Sequence, residues 1–188
     1  MRIISGSYKG KKIFEPKDIN TRPLKDLTKE SIFNIINHSN KFKINLANSN
    51  ILDLFSGVGS FGIECLSRGV KKVVFVENYI GVLPILKKNL IGLKLNKNYE
   101  IIKKNIYESN LFLKLDSKFD LIFIDPPYKD NNLEKILNKI KDEKILVENG
   151  IIVVHRHKSE QDKFPKNFSI IEEKKYGISK ILFLSYLI

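Results

Sequence analysis

From residue 51 onward, short apolar runs alternate with amphipathic stretches. Ile51-Leu52-Asp53-Leu54 is an apolar run, and Lys72-Val73-Val74-Phe75-Val76-Glu77 is a second that ends on a carboxylate. Tyr99-Glu100-Ile101-Ile102-Lys103, Phe119–Ile124 and Gly150–Val154 are the third, fourth and fifth. Each has the length and β-branched or aromatic content of a buried strand. Between them, apolar residues recur at helical spacing. Ile63-Glu64-Cys65-Leu66 follows the first run, Leu83, Leu86, Leu90 and Leu93 follow the second, and Leu133, Ile136, Leu137 and Ile140 follow the fourth. A further helix is expected around residues 107–114. Pro84 fits only if regular helix begins beside it. Strand and helix in alternation predict a parallel sheet covered on both faces, an α/β fold.

The two ends of the chain read differently. Phe168–Lys175 and Ile178–Leu187 flank Tyr176-Gly177 and predict an antiparallel hairpin. Before residue 51, Thr21-Arg22-Pro23 opens a helix, because proline suits a first helical position. Leu24, Leu27, Ile32, Ile35 and Ile36 are expected on its buried side. Residues 1–20 form short apolar-polar stretches around Gly6-Ser7-Tyr8-Lys9-Gly10, a small hairpin with a basic tip. Two units are therefore expected: an arm over residues 1–20 and the main domain over residues 21–188.

Composition sharpens the arm's role. The 188 residues carry a formal net charge of +12. Such a balance favours a polyanionic partner, nucleic acid first. Arg2, Lys9, Lys11 and Lys12 interleave with Tyr8 and Phe14, cations for phosphates and rings for bases, so the arm is a candidate RNA grip. A single cysteine, Cys65, excludes an internal disulfide and a multi-cysteine zinc site, and its place inside a helix makes it a core thiol. The first residues have no sustained apolar region, and no run reaches membrane-spanning length. A cytoplasmic protein with no membrane contact is expected.

The chemistry gathers at the ends of the apolar runs, where ligands of parallel sheets bind. The first run leads into Ser56-Gly57-Val58-Gly59-Ser60-Phe61-Gly62. Gly57 and Gly59 permit a tight turn and close approach of a ligand to backbone. The spacing also matches a dinucleotide fingerprint. Asp53 argues against that match, since a carboxylate there faces the place of a pyrophosphate. A cofactor bearing an ammonium and a sulfonium, and no phosphate, suits it better: S-adenosylmethionine. Glu77 can accept ribose hydroxyls, and Asn105 and Ile106 are placed to meet an adenine. Asp125-Pro126-Pro127-Tyr128 follows the fourth run directly. Two prolines stiffen that turn and hold the Asp125 carboxylate and Pro126 carbonyl as fixed acceptors. A base's exocyclic amine offers two N–H groups to such a pair, and bonding both frees its lone pair to attack a sulfonium methyl. Tyr128 can stack on the base. His155 and His157 flank Arg156 without a third ligand at metal spacing, and they read as RNA contacts or surface residues.

These motifs resemble the bacterial 16S rRNA guanine-N2 methyltransferases, the small-subunit methyltransferase D family. The resemblance rests on Met1-Arg2-Ile3-Ile4-Ser5-Gly6, Arg22-Pro23 with Glu30-Ser31-Ile32-Phe33-Asn34-Ile35, and Leu52-Asp53-Leu54-Phe55-Ser56-Gly57 with Gly59. Leu66-Ser67-Arg68-Gly69, Asp125-Pro126-Pro127-Tyr128 and Tyr176-Gly177 complete it. It implies a Rossmann-like S-adenosylmethionine-dependent methyltransferase with a mostly parallel seven-stranded sheet, a C-terminal antiparallel hairpin and an N-terminal RNA-binding arm. It implies cofactor contacts at Arg22, Pro23, Asp53, Phe55, Gly57, Gly59, Glu77, Asn78, Asn105, Ile106 and Asp125, and catalytic roles for Asp125, Pro126 and Tyr128. The implied partner is 16S rRNA in the small subunit or its assembly intermediate, met by a monomer, with no metal. The sequence departs from the family at Leu24, where threonine is usual, and at Asn105, His155 and Ser179. Three other readings remain at this point: an adenine-N6 methyltransferase, a dinucleotide-dependent oxidoreductase and a non-catalytic RNA chaperone.

Overall fold

The computed structural model describes residues 1–16, 24–93, 98–108, 110–115, 117–127 and 129–187. Seven strands form one sheet: β1 (Asn50–Leu54), β2 (Lys72–Val76), β3 (Tyr99–Ile102), β4 (Phe119–Ile124), β5 (Leu146–His157), β6 (Phe168–Tyr176) and β7 (Ser179–Tyr186). Their order is β3-β2-β1-β4-β5-β7-β6. The first five run parallel, and β7 pairs antiparallel with both β5 and β6. Among the described residues four helices cover the sheet: α1 (Asp26–His38), α2 (Ser60–Ser67), α3 (Leu83–Gly92) and α4 (Leu133–Asp142).

Strand side chains alternate between the two faces. Ile51, Phe75, Leu121, Phe123, Val153 and Phe183 join one buried cluster with Ile32, Phe33, Phe61, Leu86 and Leu90 of α1 to α3. Leu52, Leu54, Val76, Ile122, Ile124, Val154 and Leu184 join the other with Leu133, Ile136, Leu137 and Ile140 of α4. The result is a three-layer sandwich, as the alternating pattern predicts. Cys65 is fully buried in the first cluster. Pro84 stands at the start of α3, where its missing N–H costs nothing.

Four expectations need correction. Helix α1 begins at Asp26, because Lys25 is still extended at φ −58°, ψ 143°. Its buried face is Thr28, Lys29, Ile32, Phe33 and Ile36, while Leu27 is 68% exposed on the opposite side. The helix expected around 107–114 is, among the described residues, only a short 3-10 turn at Phe112–Lys114. There the Asn105 carboxamide oxygen accepts from the Tyr107 N–H at 3.0 Å and Glu108 Oε1 accepts from the Asn105 N–H at 3.2 Å. Such local side-chain bonds compete with helix. Strand β5 starts at Leu146 rather than Gly150, with its register shifted between Phe119 and Leu121 of β4, an irregularity that polar Glu148-Asn149 conceals in the sequence.

The N-terminal hairpin is closed by an antiparallel bridge between Arg2 and Lys12, and it is stapled to the domain. Ile3 and Ile13 enter the main core. Glu64 of α2 accepts from the N–H groups of Ile4 and Ser5 at 2.8 and 2.9 Å, and Asn89 of α3 accepts from the Phe14 N–H at 2.8 Å. Gly6 lies so close to α2 that a Cβ there would sit 1.9 Å from the Ser67 carbonyl oxygen. Among the described residues no helix is long and apolar enough to cross a membrane.

Candidate active site

Strand order reverses between β1 and β4, and a crevice opens outside their carboxyl ends, as such topology requires. A cavity of about 890 Å³ occupies it. Asp53, Phe55, Gly57, Glu77, Asn78, Asn105, Ile106, Asp125 and Pro126, expected from the sequence, all line it. Gly59 does not. Its φ of 85° caps α2, and a Cβ there would lie 2.5 Å from Leu86 Cδ1, so it packs inward. Arg22, Pro23 and Tyr128 lie outside the described residues.

Three carboxylates set the site's character. Asp53 is buried beneath the glycine loop, and its Oδ2 accepts from the Gly62 N–H at 2.9 Å. Gly62 is required there, since a Cβ would stand 2.9 Å from that same oxygen and 2.3 Å from the Phe75 ring. Burial pushes the Asp53 carboxyl well above its usual range; the Gly62 N–H pulls it down, and the charges of Asp125 and Glu77 push it further up. Burial wins because an unpaired buried ion costs several kcal/mol, against about 1.5–3 kcal/mol returned by one hydrogen bond to a charge. Glu77 accepts from the Gly57 N–H on Oε2 and from the Asn78 and Tyr79 N–H groups on Oε1, each at 2.8 Å. Three of its four lone-pair directions are therefore filled, and a ribose would find one opening on Oε2 rather than two free oxygens. Asp125 follows β4 with its N–H directed to the Leu54 carbonyl at 3.4 Å, which brings the Asp-Pro-Pro turn beside the glycine loop.

Two of the loop's donors, the Gly57 and Gly62 N–H groups, are thus taken by carboxylates, and the Gly59 N–H is taken by the Ser56 carbonyl at 2.8 Å. A glycine loop that holds a pyrophosphate needs those N–H groups free. Here Gly57 and Gly62 serve Glu77 and Asp53, and a phosphate would meet acceptors instead. The dinucleotide reading fails on this geometry. A phosphate-free cation fits the same residues: the buried Asp53 is uncompensated, and ionising it next to a positive charge lowers the cost of burial. Asp53 and Glu77 would hold the polar groups of S-adenosylmethionine, with Ile106 and Phe55 against its apolar face. Phe55 turns the strand into the loop at φ 58°, a strained conformation for a residue with a side chain.

Other cavity residues carry no sequence signal. Asp130 accepts from the Tyr107 hydroxyl, and its carbonyl accepts from Arg156 Nη2 at 2.7 Å. Burial and that bond to Asp130 raise the Tyr107 pKa. His155 corrects an expectation outright. It is buried, with Nδ1 at 2.8 Å from Asp125 Oδ1 and Nε2 at 2.9 Å from Ser179 Oγ, so it is not a surface residue. The two departures His155 and Ser179, twenty-four residues apart in the chain, turn out to be one hydrogen-bonded unit.

Comparison with known proteins agrees with this geometry. Residues 1–185 match the family described as Conserved hypothetical protein 95. The Haemophilus influenzae protein named Ribosomal RNA small subunit methyltransferase D is 34% identical over 95% of this chain and 90% of its own. The chain belongs to the small-subunit ribosomal RNA methyltransferase D family. Two solved structures share its fold over nearly full length. A candidate methyltransferase of Escherichia coli has a TM-score of 0.81 at 26% identity, covering 99% of this chain and 97% of that one. A candidate methylase of Haemophilus influenzae has a TM-score of 0.76 at 32% identity, covering 99% and 98%. Membership makes this chain a methyltransferase with S-adenosylmethionine as methyl donor, as the paired carboxylates and the Asp-Pro-Pro turn imply.

Proposed function

We propose that this family member methylates the exocyclic N2 amine of a guanine in 16S rRNA, within the small subunit or its assembly intermediate, as a cytoplasmic monomer. The observation that supports it most is the position of the Asp125 carboxylate: at the cavity, one strand from Asp53, with no partner bonded to its Oδ2 among the described residues. Bound S-adenosylmethionine supplies an electrophilic methyl. The chain's residues do the rest. Asp125 Oδ2 and the Pro126 carbonyl accept hydrogen bonds from the two amine N–H groups, which withdraws the nitrogen lone pair from the ring, and the one proton the nitrogen must lose once it carries the methyl passes to Asp125 Oδ2. Both acceptors are fixed by the turn before substrate arrives, so no reorganisation is needed during transfer. Phe61 and Phe123, stacked at 4.0 Å between centroids, form the apolar floor that keeps water from the site.

The RNA grip is proposed for Arg2, Tyr8, Lys9, Lys11 and Lys12. The four cations are exposed on the hairpin, and Lys11 Nζ lies 4.9 Å over the Tyr8 ring. The relative named above carries small-subunit rRNA in its name, which supports this substrate. The test is reaction with methyl-labelled cofactor and small subunits from cells lacking the gene, followed by digestion to nucleosides. Label in N2-methylguanosine, lost in Asp125→Ala, is expected. Label only in N6-methyladenosine, or RNA binding with no transfer at all, would overturn the proposal.

A further inference from the structure

Behind the Asp125 carboxylate stands the buried imidazole of His155, which the reaction above does not use. The register of β5 against β7 pairs His155 with Ile181 and His157 with Ser179, so His155 and Ser179 share one face of the sheet. Asp125, His155 and Ser179 all line the cavity. An ionised carboxylate only accepts, so the ring's Nδ1 carries its proton toward Asp125 Oδ1. Nε2 then accepts from the Ser179 hydroxyl when the ring is neutral and donates to it when the ring is charged. The bonds on both sides of the ring are satisfied in either state. An apolar residue would fill the same space in the sheet without the cost of burying an imidazole, so the arrangement points to control of Asp125 rather than to packing.

Resting on Asp125 as the amine's acceptor, we propose that His155, held by Ser179, is a positioning residue that ties up Oδ1, keeps Oδ2 turned to the substrate and sets the strength of that acceptor by its own charge. A neutral ring leaves the carboxylate's full negative charge for the amine. A protonated ring neutralises it and weakens the acceptor. Burial pushes the ring's pKa down, but the charge and hydrogen bond of Asp125 outweigh burial and hold it above 6.5; Arg156 opposes them. Other charges surround the ring. Arg156 on the same strand is turned to Asp162 and the Asp130 carbonyl, Lys180 on β7 is turned to the Glu160 carbonyl, and Asp53 shares the cavity.

The first measurement needs no substrate. The chain has three histidines, so imidazole NMR resolves each titration. His155 is expected to titrate above 6.5 in the wild type and to fall in Asp125→Asn. A value at or below 6.5, or one indifferent to Asp125→Asn, overturns the pairing whether or not the protein methylates RNA. The second measurement is the pH profile of kcat, expected to rise as the ring loses its proton. His155→Leu removes the donor and is expected to lower kcat by about tenfold to a hundredfold, the worth of one hydrogen bond to a charged group, with cofactor affinity unchanged. His155→Asn places an amide donor near Nδ1; it should recover most of kcat and lose the pH limb. Wild-type kcat in His155→Leu, or an intact limb in His155→Asn, contradicts the proposal. A wild type that labels no RNA removes the functional reading, and the positioning role with it, while the titration still decides the pairing.

Discussion

Two buried carboxylates, Glu64 and Asp53, lie on neighbouring elements and do opposite work. Glu64 on α2 is fully buried and fully partnered. It accepts from Ile4 and Ser5 N–H groups, bonds Arg68 Nε and Nη2 at 3.0 Å, and faces Lys29 Nζ at 3.6 Å. Lys29 in turn is buried in α1 and bonds the Arg2 carbonyl at 2.7 Å; burial lowers its pKa while Glu64 and Asp26 raise it. This cluster ties the basic hairpin to the domain and has no capacity left for a ligand. Asp53 is buried as deeply, with one N–H donor and no cation among the described residues. A buried charge with its partners in place belongs to the structure. A buried charge without one is unfinished, and the missing partner is the ligand.

That contrast predicts distinct failures. Glu64→Ala strips Arg68 of its carboxylate and leaves the buried Lys29 with Asp26 at 3.7 Å, and it is expected to cost about 3–5 kcal/mol of stability. Denaturant unfolding measures this, and cofactor affinity of the folded fraction should not change. Asp125→Ala should do the reverse: about a hundredfold loss of kcat, as for one preorganised contact, with the unfolding midpoint near wild type. Asp53→Asn sharpens the comparison further, because one substitution should move two properties in opposite directions. The folded Asp53 pKa is raised, so the folded state holds its proton more tightly than the unfolded chain, and the group lowers stability as pH rises. Removing its charge is expected to raise Tm by about 2–4 °C at neutral pH, a gain near 1 kcal/mol, while cofactor binding weakens by about tenfold, the worth of one hydrogen bond to a charge. The smallest effect is on the hairpin. Replacing Lys9, Lys11 and Lys12 with glutamine should flatten the salt dependence of RNA binding by about 0.7–0.9 in slope for each phosphate no longer neutralised. No change in slope would place the grip elsewhere.

How much of this was legible follows the same division. Parallel strands announce themselves by apolar runs, and the ends of those runs located Asp53, Glu77 and Asp125 without further help. The glycine loop was read from residue type, because tight turns and close approach restrict what fits. The sequence did not show which N–H each carboxylate uses. Glu77 and Gly57 are twenty residues apart, and only the pairing of β1 with β2 brings them together. The burial of His155 is hidden in the sequence for a related reason. A histidine beside arginine at the end of a strand has no local sign of burial, and its partners arrive from β4 and from an antiparallel strand late in the chain. Lys29 is hidden too, since a lysine on the buried face of a helix contradicts the apolar pattern that marks such a face. Local signals reveal the frame and the positions at its edge; long-range charge pairing appears only in three dimensions.

The most direct test of the central claim is calorimetric titration of S-adenosylmethionine in buffers of different ionisation heat, across pH 5 to 8. A cation placed against an uncompensated Asp53 favours its ionised form, so binding should release a proton in the window between the lowered and raised pKa values, and Asp53→Asn should abolish that release. Proton uptake, or a release that persists in Asp53→Asn, would contradict the account.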